Sequence, residues 1–223
     1  MKKLLTGMLV LCMVLGFGSL ALAQTGEVSV DQWFTNHVWE VKSEESSDKI
    51  EATARLTGLK GEISITDKIG VAGSFVFGKS EDFKEVAPKA HAELSSVNVA
   101  AQYQIVPMIK ARGGFFSGKY TRSVGSTDAD INLSGITLGA AVDAEVSDGI
   151  GVFGEVTYAP KVTAKRESKE LKDVSMVAFE AGGKYDFGQF GVKAGYRNQG
   201  FDFKDDEVSA TFSGFFVGVS MNF

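Results

Sequence analysis

The sequence predicts an all-β chain whose strands close into one antiparallel up-and-down barrel, about ten strands round, with eight as the alternative. Three observations point there. Apolar and polar residues alternate with a period of two through segment after segment, as in a sheet whose two faces meet unlike surroundings. Short turns and long polar connections also alternate along the chain, which places all the short turns at one end of the sheet. Beyond residue 23, no uncharged apolar run is long enough for a spanning helix, so any contact with lipid has to be made by strands.

The first 23 residues stand apart. Met1-Lys2-Lys3 is basic, Leu4 to Leu20 is apolar and Ala21-Leu22-Ala23 is small, the order of a secretory signal peptide cleaved after Ala23. Gly7, Gly16 and Gly18 interrupt the apolar run and no basic flank follows, which argues against a membrane anchor. Cys12, the sole cysteine, leaves with this segment. The remaining chain then has no thiol, which excludes disulfides, zinc-thiolate sites and cysteine nucleophiles. Residues 24–223 form one domain with 21 basic and 28 acidic side chains, a formal charge of -7 that argues against a nucleic-acid partner.

Strands are expected at 28–42, 50–65, 69–78, 94–105, 109–117, 133–146, 150–159, 174–186, 190–197 and 210–223. The first has blurred phase around Trp33, Phe34 and Trp39, which keeps the eight-strand count open. The second slips phase near Thr57-Gly58, which reads as a β-bulge. The last alternates most clearly, with Ser213, Phe215, Val217, Val219, Met221 and Phe223 set against Phe212, Gly214, Phe216, Gly218, Ser220 and Asn222. Tight turns are read at Thr66-Asp67-Lys68, Val106-Pro107-Met108, Ser147-Asp148-Gly149 and Phe187-Gly188-Gln189. Charged segments near 43–49, 79–93, 118–132, 160–173 and 198–209 read as long loops.

A soluble sandwich would show the same alternation. The turn asymmetry, aromatics on the apolar face near strand ends (Tyr103, Tyr158, Tyr185, Phe187 and Phe223), and a small, glycine-rich face with charges of both signs favour a barrel in lipid. With its signal peptide and its closing run of Phe215, Val217, Val219, Met221 and Phe223, the chain resembles the small Gram-negative outer-membrane barrel superfamily of OmpA-like, OmpX-like and Opa-like porin-family proteins. The resemblance covers residues 24–223. It implies residence in the outer membrane among lipid and lipopolysaccharide. It also implies that the barrel-assembly machinery reads the terminal Phe223 and the apolar residues behind it as its address.

Thirteen charged residues are expected to face the lumen: Glu51, Arg55, Glu62, Lys110, Arg112, Asp143, Glu145, Glu155, Glu180, Lys184, Asp186, Lys193 and Arg197. Unpaired charge in so narrow a space is costly, so Glu155 or Glu180 is expected to pair with Lys184, Lys193 or Arg197. Two readings of the lumen stay open, a salt-bridged plug or a narrow ion path. Only His37 and His91 could act as a base near neutral pH, and His91, Glu93 and Ser95 share a face if their strand extends that far. The Asp-x-His and His-x-Ser pairs of known barrel hydrolases are missing, so no enzyme activity, cofactor or metal is expected. The acidic groups Asp128 with Asp130, and Asp202 with Asp205, Asp206 and Glu207, read as solvated loop charge. The functional expectation is a structural or surface-contact barrel whose loops meet lipopolysaccharide or another surface ligand, with a passive pore as the alternative.

Overall fold

The computed structural model describes residues 25–42, 47–83, 89–166, 169–204 and 207–223, and the expected signal peptide lies outside them. Among the described residues ten strands follow one another: β1 (Thr25–Lys42), β2 (Ser47–Ser64), β3 (Ile69–Ser80), β4 (Ala90–Val106), β5 (Ile109–Val124), β6 (Thr127–Ser147), β7 (Ile150–Arg166), β8 (Lys169–Phe187), β9 (Phe190–Phe203) and β10 (Val208–Asn222). Each pairs antiparallel with its sequence neighbours, and β1 pairs with β10 to close the ring, which rules out the eight-strand alternative. Closure leaves no sheet edge with unpaired backbone groups. It is completed at Phe223, whose N–H and C=O both bond to the backbone of Gly26, at 3.0 and 2.8 Å.

The four tight turns gather at one end, here the turn end, with Gly149 (φ +70°) and Gly188 (φ +73°) supplying left-handed positions that other residues adopt only with strain. At the other, loop end, the strands run far beyond the expected lengths. Most of 118–132, 160–173 and 198–209 is strand, and Val124 pairs with Thr127 across a tight turn at Gly125. These charged stretches alternate as strictly as the rest, but with the code inverted.

That inversion divides the barrel. Toward the turn end, apolar residues point outward, among them Phe215 (71% exposed), Val217 and Val219 on β10, and the inner face is polar. Toward the loop end, apolar residues point inward, as with Ile131 and Leu133 on β6, Phe201 and Phe203 on β9, and Ala210 and Phe212 on β10. A face turns inward or outward by residue parity, and parity does not change along a regular strand. What changes is the outer wall, which is apolar toward the turn end and polar toward the loop end. This accounts for Thr57-Gly58. The register of β2 with β1 and β3 passes through both residues unbroken, so there is no bulge there. Ala52, Ala54 and Leu56 point inward with the same parity as Lys60 and Glu62. True register shifts occur at Gln104/Val106, Gly135/Leu138, Glu145/Ser147 and around Val162.

Candidate functional site

The lumen is the candidate site, and three layers fill it. The first is a chain of ion pairs. Arg197 on β9 grips Asp31 on β1 with both terminal nitrogens, at 2.9 and 2.8 Å, and donates from Nε to Glu180 on β8 at 2.8 Å. Glu180 also pairs with Lys60 on β2, which lies 3.7 Å from Glu155 on β7. Arg112 on β5 then links Glu155 at 2.8 Å to Glu62 at 2.7 Å, and Glu62 pairs with Lys110. Signs alternate along the whole chain, so each charge is flanked by its opposite, which is what a low-dielectric interior demands. β2 and β7 stand five strands apart in a ring of ten, so the Lys60–Glu155 contact spans the full width of the barrel.

Below this brace, toward the turn end, opens a cavity of about 580 Å³ that reaches Gly188, Gln189 and Phe223 at the rim. Lys184 pairs there with Asp143 at 2.7 Å, and Lys193 pairs with Glu27. Above the brace lies a void of about 70 Å³, beside Ser96, Asn98 and Gln199. The lumen therefore narrows sharply at the Lys60, Glu155 and Glu180 crossing.

The third layer is apolar. Arg197 lies 4.6 Å from the Phe216 ring centre and 5.4 Å from that of Trp33, so its cation faces carboxylates on one side and aromatic faces on the other. Beyond it Trp33, His37, Tyr120, Phe201 and Phe212 are completely enclosed, together with Leu56, Leu94 and Leu133. Phe212 stacks on His37 at 4.1 Å and 9°, and Trp39 stacks on Tyr120 at 5.7 Å. Phe83, from the connection between β3 and β4, packs over His37 at 5.4 Å and closes the layer from the loop side. The residues of this layer come from strands all round the ring, so it spans the lumen.

His37 supplies the polar pivot of that layer. Its Nδ1 lies 3.2 Å from the Thr211 carbonyl, an acceptor, so this nitrogen carries the proton, and Nε2 accepts from the Tyr120 hydroxyl at 2.9 Å. Of the outward residues at this level, Asn36, Glu51, Thr53, Thr211 and Ser213 are polar and only Val38 is apolar, which sets it above the apolar outer belt. Burial pushes the imidazole pKa down to about 4, opposed by the hydrogen bond to Thr211 and aided by the Arg122 charge. The folded value lies below the unfolded one of 6.5, so the unfolded chain takes up the proton first as the medium acidifies. Stability due to this group is therefore full above pH 6.5 and falls toward pH 4, by roughly 3 kcal/mol at 1.36 kcal/mol per unit. Urea unfolding at pH 7.5 and 4.5 should show this slope in the natural chain and lose it in His37→Phe. Equal slopes in the two proteins would dismiss it.

Of the expected lumen residues, Lys110, Arg112, Glu155, Glu180, Lys184, Asp143 and Lys193 line the cavity, and Arg197 is buried at 6% exposure. Arg55 and Glu51 are corrections. Both are exposed on the outer wall, because β2 keeps one parity and the even-numbered residues face the lumen. Glu145 has lumen parity but sits exposed at the rim, where its carboxylate accepts from the Gly149 N–H at 3.3 Å, so it braces a turn and not the charge network. Glu180 pairs with Arg197, whereas Glu155, Lys184 and Lys193 find partners across the lumen or at the mouth. Glu27, Asp31 and Lys60 escaped sequence reasoning. Counting back in twos from Glu62 would have found Lys60.

His91, Glu93 and Ser95 do share the outer face of β4, where Glu93 meets Lys79 at 3.8 Å and His91 lies 3.9 Å from Asp82. Asp130 bonds Lys119 and Thr121, at 2.7 Å each, and these pairings hold its carboxyl below the usual range. Among the described residues, no group of three His, Cys, Asp or Glu side chains is arranged to hold a metal.

No family model and no curated protein matches this sequence. Solved structures do match. The chain is similar to the outer membrane protease OmpT of Escherichia coli, with TM-score 0.58 and 8% identity over 89% of this chain and 96% of that one. Weaker likenesses run to the translocator domain of the autotransporter NalP of Neisseria meningitidis (TM-score 0.49, 13% identity, 99% and 96% covered) and to Neisserial surface protein A (TM-score 0.41, 14% identity, 89% and 97% covered). At such identities the first likeness speaks for the fold alone. That fold is the closed antiparallel barrel of outer-membrane proteins.

Proposed function

We propose that this protein is a non-conducting barrel of the outer membrane, exported by a cleaved signal peptide, whose work is structural and at the cell surface. One half is anchored in lipid and the other carries a rigid polar stem outward. β6 has 21 residues, roughly 70 Å of strand, where a tilted transmembrane strand needs about 9–11 residues. About half of its length thus serves the stem. Phe215, Val217, Val219 and Met221 face outward on the closing strand and Phe223 is exposed just past its end, which supports their reading as the assembly address. The stem offers polar walls for contact with lipopolysaccharide or another surface ligand.

The observation that carries the closed reading is the apolar layer of Trp33, His37, Tyr120 and Phe212, enclosed across the whole lumen above a paired charge brace. An ion crossing it would lose its hydration and meet only the His37 imidazole and the Tyr120 hydroxyl, which are already bonded to each other and to the Thr211 carbonyl. In planar lipid bilayers the purified barrel is expected to give no steady single-channel current from neutral pH to pH 5. Reproducible unitary conductance would transfer the reading to a passive pore.

A further inference from the structure

The outer wall carries a pair of like charges placed face to face by the register. Arg55 on β2 is the direct cross-strand partner of Lys79 on β3, and both point outward and are exposed. Directly opposed residues on one face have Cβ atoms about 5 Å apart, and two like charges there repel. Phe34 is the other neighbour of Arg55 and carries no charge. Glu93 is the cross-strand partner of Lys79 on β4 and pairs with it at 3.8 Å, so Lys79 has a carboxylate on its far side, whereas among the described residues no carboxylate pairs with Arg55.

The height of the pair on the wall says what could relieve the repulsion. Phe34, 47% exposed, shares the rung of Arg55, and Phe77, 39% exposed, lies on β3 two residues below Lys79. Phe75 stacks on Phe77 at 5.1 Å and continues the apolar surface downward. One step above, the outward residues Asn36 and Thr53 are polar. The two cations therefore stand at the upper edge of the hydrocarbon-facing belt, the level of lipid headgroups. An arginine fork and a lysine point charge at about 5 Å suit one tetrahedral anion between them.

We propose that Arg55 and Lys79 form a binding site for the phosphate headgroup of an anionic lipid in the outer leaflet, with Phe34 and Phe77 against its acyl chains. The inference rests on the membrane reading above. The test uses the full barrel in phosphatidylcholine nanodiscs containing a minor fraction of phosphatidic acid, with the lipids retained after gentle extraction counted by native mass spectrometry. Phosphatidic acid should be retained well beyond its share. The double substitution Arg55→Gln with Lys79→Gln should cut that excess roughly tenfold, the scale of losing one or two charge-assisted hydrogen bonds. Lys119→Gln, at a lysine already held by Asp130 at 2.7 Å, should leave it unchanged. A heat-dependent gel shift shows that each variant has folded. Equal retention by the natural and doubly substituted barrels would overturn the site. So would displacement of the lipid by millimolar inorganic phosphate, which would make a free anion the ligand. A barrel released from cells without detergent would instead overturn the membrane reading, a result visible before any lipid is counted.

Discussion

Arg197→Met is expected to remove roughly 3–5 kcal/mol of stability, the range for breaking a buried ion pair from one side. Arg197 and Asp31 are each 6% exposed, so the orphaned carboxylate cannot turn to water. Glu180 would keep Lys60, but Asp31 would keep nothing of its bidentate grip. Relief should come from removing the orphan, so that Asp31→Asn added to Arg197→Met restores a large part of the loss. Arg197→Lys should recover little, because one ammonium cannot span the fork that reaches Asp31 and Glu180 together. Urea unfolding in lipid vesicles measures all three. A loss below about 1 kcal/mol for Arg197→Met would mean that the brace is decoration on a barrel held by its backbone.

The second large effect is expected in the apolar layer. Phe212→Ala should lower stability by about 3–5 kcal/mol, since the ring is fully enclosed, stacks on His37 at 4.1 Å and meets Tyr120 edge-on at 6.3 Å. Phe215→Ala, three residues on and 71% exposed on the outer wall, should cost markedly less. The surrounding medium fills the gap left outside, whereas the packed interior cannot close over a missing ring. Phe212→Leu nearly conserves volume and should fall below about 1.5 kcal/mol. The comparison is made by heat-induced unfolding in one detergent. Equal losses at 212 and 215 would show that the lumen above the brace is wet and loosely packed.

The charge brace was only partly legible beforehand. Arg112, Glu155, Glu180 and Arg197 stand on cleanly alternating strands, and their lumen-facing parity follows directly, while Glu62 follows the expected phase slip of β2. Asp31 was hidden because Trp33 shares its parity and Phe34 does not, which leaves both faces of β1 aromatic and its phase unreadable. Arg55 was misplaced for a related reason. Reading apolar residues as outward everywhere assumes one pattern along the whole strand, and the inward face of β2 is apolar at Ala52, Ala54 and Leu56 but charged at Lys60 and Glu62. Most of 118–132, 160–173 and 198–209, expected as loops, is strand with its polar side outward.

The amino-acid order by itself determined that the chain is β throughout, where the tight turns fall and which end they share, because each of these is a local pattern of period two or a short turn signal, whereas ring closure decided ten strands over eight. Only the closed barrel decided that Lys60 meets Glu155, that Arg197 reaches Asp31 across 166 residues of sequence, and that Phe83 comes down over His37. Those contacts depend on ring closure and on the register of nine other strands, and no window of sequence contains either.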